Sequence, residues 1–247
     1  MTKQLLLIDG NSIVFRAFFA MHNQMDKFTN KDGLHTAAIY GFKLMLDHVL
    51  QNFKPDTALV AFDAGKVTFR TKMYDDYKGG RNKTPNELTE QIPYVRELIK
   101  DSGLHSYELA NYEADDIIGT LAKQADDAGY KTLIVTGDRD LTQLASENTT
   151  VAVTHKGVTD TEHYTPAHVE EKLGITPRQI IDMKALMGDS SDNYPGVTKI
   201  GEKTAIKLVK QFGSVEELYD HIDDLKKSKM KEHLIEDEEI ARQCKTL

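Results

Sequence analysis

The sequence predicts an α/β protein: a mostly parallel central sheet flanked by helices, followed by a part that is helical throughout. Three observations carry this prediction. Short continuous apolar runs each end at an aspartate or a glycine-aspartate turn, segments of helical period separate them, and the strand pattern stops after about residue 175. Continuous rather than alternating apolar runs belong to strands covered on both faces, which is the situation in a parallel sheet with crossover helices.

Taken in order, Gln4-Leu-Leu-Leu-Ile-Asp9 is a strand closed by Gly10-Asn11, and Thr36–Gln51 has helical period. Thr57-Ala-Leu-Val-Ala-Phe-Asp63 is a second strand, ended by Ala64-Gly65. Glu87–Asp101 reads as one helix, a strand is expected near His105–Leu109, and Glu113–Ala128 is again helical. Lys131-Thr-Leu-Ile-Val-Thr136 is a strand followed by Gly137-Asp138-Arg139-Asp140, and another is expected near Thr149–Val153. Beyond Gly174-Ile175-Thr176-Pro177 only helical runs remain: Arg178–Met187, Glu202–Phe212 and Val215–Ile222. Two domains are expected, 1–175 as the α/β core and 176–247 as a helical subdomain. The stretch from Asp223 to Leu247 is highly charged, with scattered Leu and Ile.

Composition bounds the function. With 247 residues, 40% hydrophobic and 28% charged, the chain is of ordinary globular type. Only Met1-Thr2-Lys3 precedes the first apolar run, and no run approaches membrane-spanning length, so a cytoplasmic protein without membrane contact is expected. The single cysteine, Cys244, excludes an internal disulfide and is expected to be an inert thiol. The nine histidines show no ligand spacing. A net charge of −8, from 31 Lys and Arg against 39 Asp and Glu, argues against a nucleic-acid partner unless the acids are gathered at one place.

They are gathered. In an open α/β sheet, ligands bind beyond the carboxyl ends of the strands, and those ends deliver Asp9, Asp63, Asp138 and Asp140 to one rim. Asn111-Tyr-Glu-Ala-Asp-Asp-Ile-Ile118 adds Glu113, Asp115 and Asp116 at a helix start. One or two acids there would be explained by the helix dipole. On a helical projection Glu113 and Asp115 flank the apolar stripe, while Asp116 points further away. Met187-Gly-Asp-Ser-Ser-Asp-Asn193 adds Asp189 and Asp192 in a loop. Each acid alone is ordinary turn or capping chemistry. Nine together would repel one another strongly without divalent cations among them. Hard oxygen donors with no Cys/His spacing point to Mg²⁺ or Mn²⁺ rather than zinc, and such sites suit two-metal hydrolysis of phosphodiesters. Setting those nine aside leaves 30 acids against 31 bases, and the objection from net charge falls away.

Asp9-Gly10-Asn11, Phe62-Asp63, Glu113-Ala-Asp-Asp116, Thr136-Gly-Asp-Arg-Asp140 and Gly188-Asp-Ser-Ser-Asp-Asn193 stand in the order and spacing of the 5′-nuclease (flap endonuclease) family. Within it the chain resembles the N-terminal 5′→3′ exonuclease domains of bacterial DNA polymerase I. The resemblance implies a PIN-like core with a helical arch at about 68–100 and a helix-hairpin-helix type subdomain. It also implies a structure-selective 5′→3′ exonuclease and flap endonuclease that leaves a 5′-phosphate and a 3′-hydroxyl, in primer removal and repair. Carried over, it places Asp9, Asp63, Glu113, Asp115, Asp116, Asp138, Asp140, Asp189 and Asp192 around two Mg²⁺ ions, replaceable by Mn²⁺, with Asp9 and Asp138 among the catalytic groups. Expected partners are 5′ flaps, nicked or gapped duplexes and 5′ ends of DNA, acted on by a monomer. A free-standing nuclease and one covalently linked to a polymerase domain both stay open; Arg242-Gln-Cys-Lys-Thr-Leu247 carries no terminal cap signal, which points to a longer parent chain.

The segment from Phe69 to Pro85 resembles the family's arch, with Arg70, Tyr74, Tyr77, Lys78 and Arg81 as DNA contacts and Lys78 and Arg81 stabilising the scissile phosphate. Bases interleaved with tyrosines suit a single strand, which needs charge for its backbone and surfaces for stacking. Gly196-Val-Thr-Lys-Ile-Gly-Glu-Lys-Thr-Ala205 resembles the family's hairpin, with Gly196, Lys199, Gly201, Lys203 and Thr204 on duplex phosphates, a place where the family often holds K⁺. Lys199 stands where the family pattern has its first glycine; if that position requires positive φ, lysine bears a backbone cost. Two rivals remain: a DNA-junction binder without catalysis, for which the filled acid set has no use, and a small-molecule phosphatase, which would need neither arch nor hairpin.

Overall fold

The computed structural model describes residues 2–21, 27–156 and 160–247. Six strands form one sheet: β1 Gln4–Asp9, β2 Thr57–Thr68, β3 His105–Asn111, β4 Lys131–Thr136, β5 Thr149–Lys156 and β6 Asp160–Tyr164, in the order β3-β2-β1-β4-β5-β6. β1 is parallel to both β2 and β4, and β4 is parallel to β5. Leu6, Leu7 and Ile8 are fully buried, which explains why Leu5–Ile8 of β1 is apolar at every position rather than at alternate ones. β6 runs antiparallel to β5. Its sequence, Asp-Thr-Glu-His-Tyr, is that of an edge strand and lacked the apolar run by which the others were expected.

Helices α1 Gly10–Met21, α2 Ala37–Phe53, α3 Phe69–Met73, α4 Asn86–Thr89, α5 Ile92–Asp101 and α6 Ala114–Asp127 fall between these strands. α1 follows β1 with no intervening loop and buries Ile13, Val14, Ala17 and Phe18 at helical spacing. It packs closely on α2, where a methyl group on Gly41 would lie 2.7 Å from the Cβ of Ala17. Phe42, Met45, Leu46 and Val49 of α2 share the resulting core with Leu6, Ile8, Val60 and Val135 of the sheet.

Two expectations are corrected. The second strand does not stop at Asp63 but continues to Thr68. The single helix expected over Glu87–Asp101 is two, α4 and α5, because Pro93 in the first turn of α5 cannot donate to the preceding turn and so restarts the helix. The buried Gln91 at the break accepts from the Ala38 amide at 2.8 Å, joining this corner to α2.

Beyond the sheet lie α7 Pro166–Leu173, α8 Gln179–Met187, α9 Glu202–Phe212, α10 Val215–Asp220, α11 Lys229–Glu236 and α12 Glu238–Thr246. α10 and α11 begin at Ser214 and Ser228, each accepting a backbone N–H three residues on. The charged stretch at the end of the chain is therefore helical, with Leu234, Ala241 and Cys244 as its buried positions. The chain forms two compact units, one of Met1–Lys66 with Lys83–Thr165, the other of Val67–Asn82 with Pro166–Leu247. No described helix is long and apolar enough to cross a membrane.

Candidate active site

In the first unit, Asp9 ends β1 and is only 4% exposed. Its carboxylate accepts from the Ser12 amide at 3.0 Å and from the Thr136 hydroxyl at 2.8 Å. Thr136 ends β4 and is fully buried; its hydroxyl oxygen also accepts from the Asp138 amide at 2.9 Å. Asp138 in turn accepts from the Asp140 amide at 2.8 Å, where a short 3₁₀ turn begins. One hydroxyl thus joins the ends of two adjacent strands and places two expected ligands on either side of it. The sequence shows Thr136 only as the last residue of a strand, and its one signal is a polar side chain at the mouth of an apolar run.

Asp63 lies on β2, next to β1, and is held from two sides: the Asn11 side-chain amide donates to it at 2.8 Å and the Ala114 backbone N–H at 2.7 Å. The second bond sets the first turn of α6 against the sheet rim, bringing Glu113, Asp115 and Asp116 there as well. Glu113 is 6% exposed and forms a reciprocal capping box with Asp116, whose carboxylate accepts from the Glu113 amide at 2.9 Å. Asp116 therefore has a structural occupation, consistent with its direction on the helical projection.

Burial pushes the Asp9 carboxyl up to about 6; the hydrogen bonds from Ser12 and Thr136 pull against it, and the charges of Asp63 and Asp138 add to it. The ends of β1 and β4, with the middle of the longer β2 between β1 and the sheet edge, thus bring three carboxyls within electrostatic reach. Among the described residues no three Asp, Glu, His or Cys side chains converge closely enough to hold an ion as they stand. The donor set is nonetheless all oxygen, and the charge on Asp9 is opposed by its surroundings. A hard divalent cation meets both conditions, so the residues fit Mg²⁺ or Mn²⁺.

In the second unit, Asp189 and Asp192 lie on a loop closed at its base by paired backbone bonds between Asp189 and Tyr194, at 2.9 and 3.0 Å. Asp189 is the hub of that loop. It accepts from the Ser191 amide at 2.6 Å and the Ser191 hydroxyl at 2.5 Å, and pairs with Lys184. Burial opposes its charge, but the bonds from Lys184 and Ser191 prevail and hold the carboxyl down at about 2. Asp192 meets the arch segment instead. Arg81 donates to it at 2.5 Å, the Tyr77 hydroxyl at 3.0 Å, and the Lys78 ammonium lies 3.9 Å away and 5.2 Å from the centre of the Tyr77 ring. Tyr77, expected as a stacking surface, is 5% exposed and acts as a pillar under Lys78. Tyr74 is half-buried, and Arg70 reaches the carbonyl of Leu247.

At the hairpin, Gly196 (φ 62°) and Lys199 (φ 58°) are both left-handed. Lys199 does bear the backbone cost that its place in the pattern implied. The turn is braced by Asp237, which accepts from the Thr198 amide at 2.8 Å across 39 residues of sequence. Gly201 occupies the N-cap of α9, with Lys203 and Thr204 in the first turn, so that the helix's first N–H groups and an exposed lysine share one end.

The first unit thus holds a parallel sheet with Asp9, Asp63 and Asp138 gathered beside the carboxyl end of β1, and the second holds a helical hairpin with a helix N-terminus beside an exposed lysine. Residues 4–174 match the family described as 5′-3′ exonuclease, N-terminal resolvase-like domain, and residues 175–247 match 5′-3′ exonuclease, C-terminal SAM fold. The chain belongs to the 5′-3′ exonuclease family. DNA polymerase I of Streptococcus pneumoniae is 60% identical over 245 residues, covering 99% of this chain and 28% of the relative. That of Bacillus subtilis is 56% identical over 245 residues, covering 99% and 27%. The chain therefore spans little more than a quarter of the length of these relatives. Among solved structures, the T5 flap endonuclease in a pseudo-enzyme–product complex with DNA and metal ions superposes with a TM-score of 0.80 at 24% identity, over 98% of this chain and 88% of that one. The catalytic core of Rad2 with DNA substrate gives 0.59 at 17% identity, over 96% and 72%. At these identities the likeness is one of fold.

Proposed function

We propose that this chain is a structure-selective 5′ nuclease, a 5′→3′ exonuclease and flap endonuclease that hydrolyses DNA phosphodiesters near 5′ ends and junctions. The carrying observation is the buried Asp9, whose charge is opposed by its surroundings and by Asp63 and Asp138. Such a group is costly to keep unless a cation neutralises it. Asp9, Asp63 and Asp138 form the nearest set of ligands, with Glu113, Asp115, Asp116 and Asp140 around them on the same rim. The metal roles of Asp189 and Asp192 stay with the family resemblance. When bound, two divalent ions such as Mg²⁺ would supply an activated water and charge neutralisation at the phosphate.

The chain's own residues orient and neutralise. Lys78 and Arg81, the arch-segment cations that face Asp192, would trade it for the non-bridging oxygens of the reacting phosphate. Lys199, Lys203 and the first amides of α9 would grip duplex phosphates without regard to sequence. The DNA polymerase I relatives support a role in primer removal and repair beside a linked polymerase. Digestion of a 5′-labelled flap duplex with Mg²⁺, and again in excess chelator, tests the reading. Junction cleavage should require the metal, while DNA binding survives chelation in part. Full turnover in chelator would overturn it.

A further inference from the structure

Lys78 sits in a conformation that lysine does not favour. Residues 76–79 form a tight turn in which the Gly79 amide donates to the Asp76 carbonyl at 2.9 Å, and Lys78, its third residue, is left-handed at φ 56°. Turns with positive φ at that place select glycine, since any other L residue brings its Cβ against the carbonyl. Two bonds from the 189–194 loop hold the turn. The Asp192 carbonyl accepts from the Lys78 amide at 2.8 Å, and the side-chain amide of Asn193 donates to the Asp76 carbonyl at 2.8 Å. Asn193 is itself left-handed, φ 59°. Asparagine tolerates that conformation, so an asparagine at this place is accounted for by its backbone alone, and the bond to Asp76 is a second fact. That bond joins residues 117 apart in sequence and lands two residues before Lys78.

We propose that Asn193 is a positioning residue for Lys78. Its amide holds the 76–79 turn closed, keeps the lysine in its left-handed state, and so aims the ammonium towards the reacting phosphate. The Arg81 amide donates to the Lys78 carbonyl at 3.2 Å, so the second cation is set by the same turn. The inference rests on the reading of Lys78 as a cation acting on that phosphate.

Asn193→Gly is the discriminating variant, because glycine accepts φ near 59° and removes only the side-chain amide. Three readouts are needed: the single-turnover rate on a flap duplex at saturating protein, binding of the same duplex, and hydrogen exchange of the Lys78 amide in the metal-free protein. Expected are a rate about ten- to hundredfold lower, unchanged binding, and faster exchange at Lys78. Lys78→Ala should cost less in the Asn193→Gly background than in the parent, since the two act as a unit. A parental rate and parental exchange in Asn193→Gly would overturn the proposal while leaving the role of Lys78 standing. A parental rate in Lys78→Ala would overturn both, since nothing would remain to be positioned. Slower chemistry with additive effects and unchanged exchange would also overturn it.

Discussion

Gly188 and Gly196 pass back to back. A methyl group on Gly196 would overlap the Gly188 amide nitrogen and lie 2.5 Å from the carbonyl carbon of Met187, and one on Gly188 would lie 2.5 Å from the carbonyl carbon of Pro195. Both residues are left-handed, φ 73° and 62°. The loop carrying Asp189, Asp192 and Asn193 is thus pinched shut where no side chain fits. Gly196→Ala should therefore cost stability twice, by overlap with backbone that cannot rotate away and by its dihedral angle, about 2 kcal/mol or more together. Denaturant unfolding measures it. An unchanged midpoint would mean that the two segments separate freely.

Asp9 predicts a pH dependence of the metal-free protein. Its folded value of about 6 stands above the ordinary 3.8, so the folded state binds a proton that the unfolded chain has released between those values. The stability contributed by this group is complete below pH 3.8 and lost as pH rises to about 6. Asp9→Asn removes the charge and can still accept from Ser12. It should be more stable than the parent at pH 8 in chelator, by up to about 3 kcal/mol, with the gap closing towards pH 4. Saturating Mg²⁺ should reverse the order at pH 8, because the cation favours the carboxylate. Parallel pH profiles for parent and variant would refute the assignment.

Asp138→Asn and Asp140→Asn separate ligand from scaffold. Asparagine at 138 keeps an oxygen for the Asp140 amide, so the turn should persist and metal-free melting should hold or rise slightly. Flap cleavage should fall at least about a hundredfold. A variant that melts much lower yet cleaves normally would reveal a structural aspartate.

The two basic regions should fail in different ways. Lys78→Ala should slow single-turnover chemistry more than it weakens binding, as expected of an interaction made mainly in the transition state. Lys199→Ala and Lys203→Ala should weaken binding and flatten its salt dependence by about one unit of slope for each lost phosphate contact. Titrations at several salt concentrations beside saturating-protein cleavage distinguish them. If Lys78→Ala changed affinity alone, the arch would be a grip and not part of the chemistry.

How much of this was legible in the sequence follows from how far each interaction reaches. β1 and β4 were plain because burial on both faces leaves a continuous apolar run, and with them came the placing of Asp9 and Asp138. β6 was not, since an edge strand needs no such run. The break at Pro93 was visible in the residue itself but was overridden by the helical period around it. The capping role of Asp116 lies within one turn of helix and was half legible as a direction on the wheel. The bonds of Asn193 to Asp76 and of Asp237 to Thr198 cross 117 and 39 residues and leave no local trace. Lys199 lies between these extremes: its backbone cost could be foreseen as a condition, and its φ of 58° meets that condition.

The compact unit that holds the hairpin is interrupted in sequence, for Val67–Asn82 belongs with the helices after Pro166 although it is strung between β2 and α4. A cut between residues 174 and 175, where the two family descriptions meet, would divide that unit rather than release it. One fragment would keep Lys78 and Arg81 without Asp192 and Asn193, and the other would keep the clamp with nothing to hold. Lys78, Arg81 and the hairpin therefore belong to a single module. Recombination at the evident boundary would not shuffle it; it would sever it.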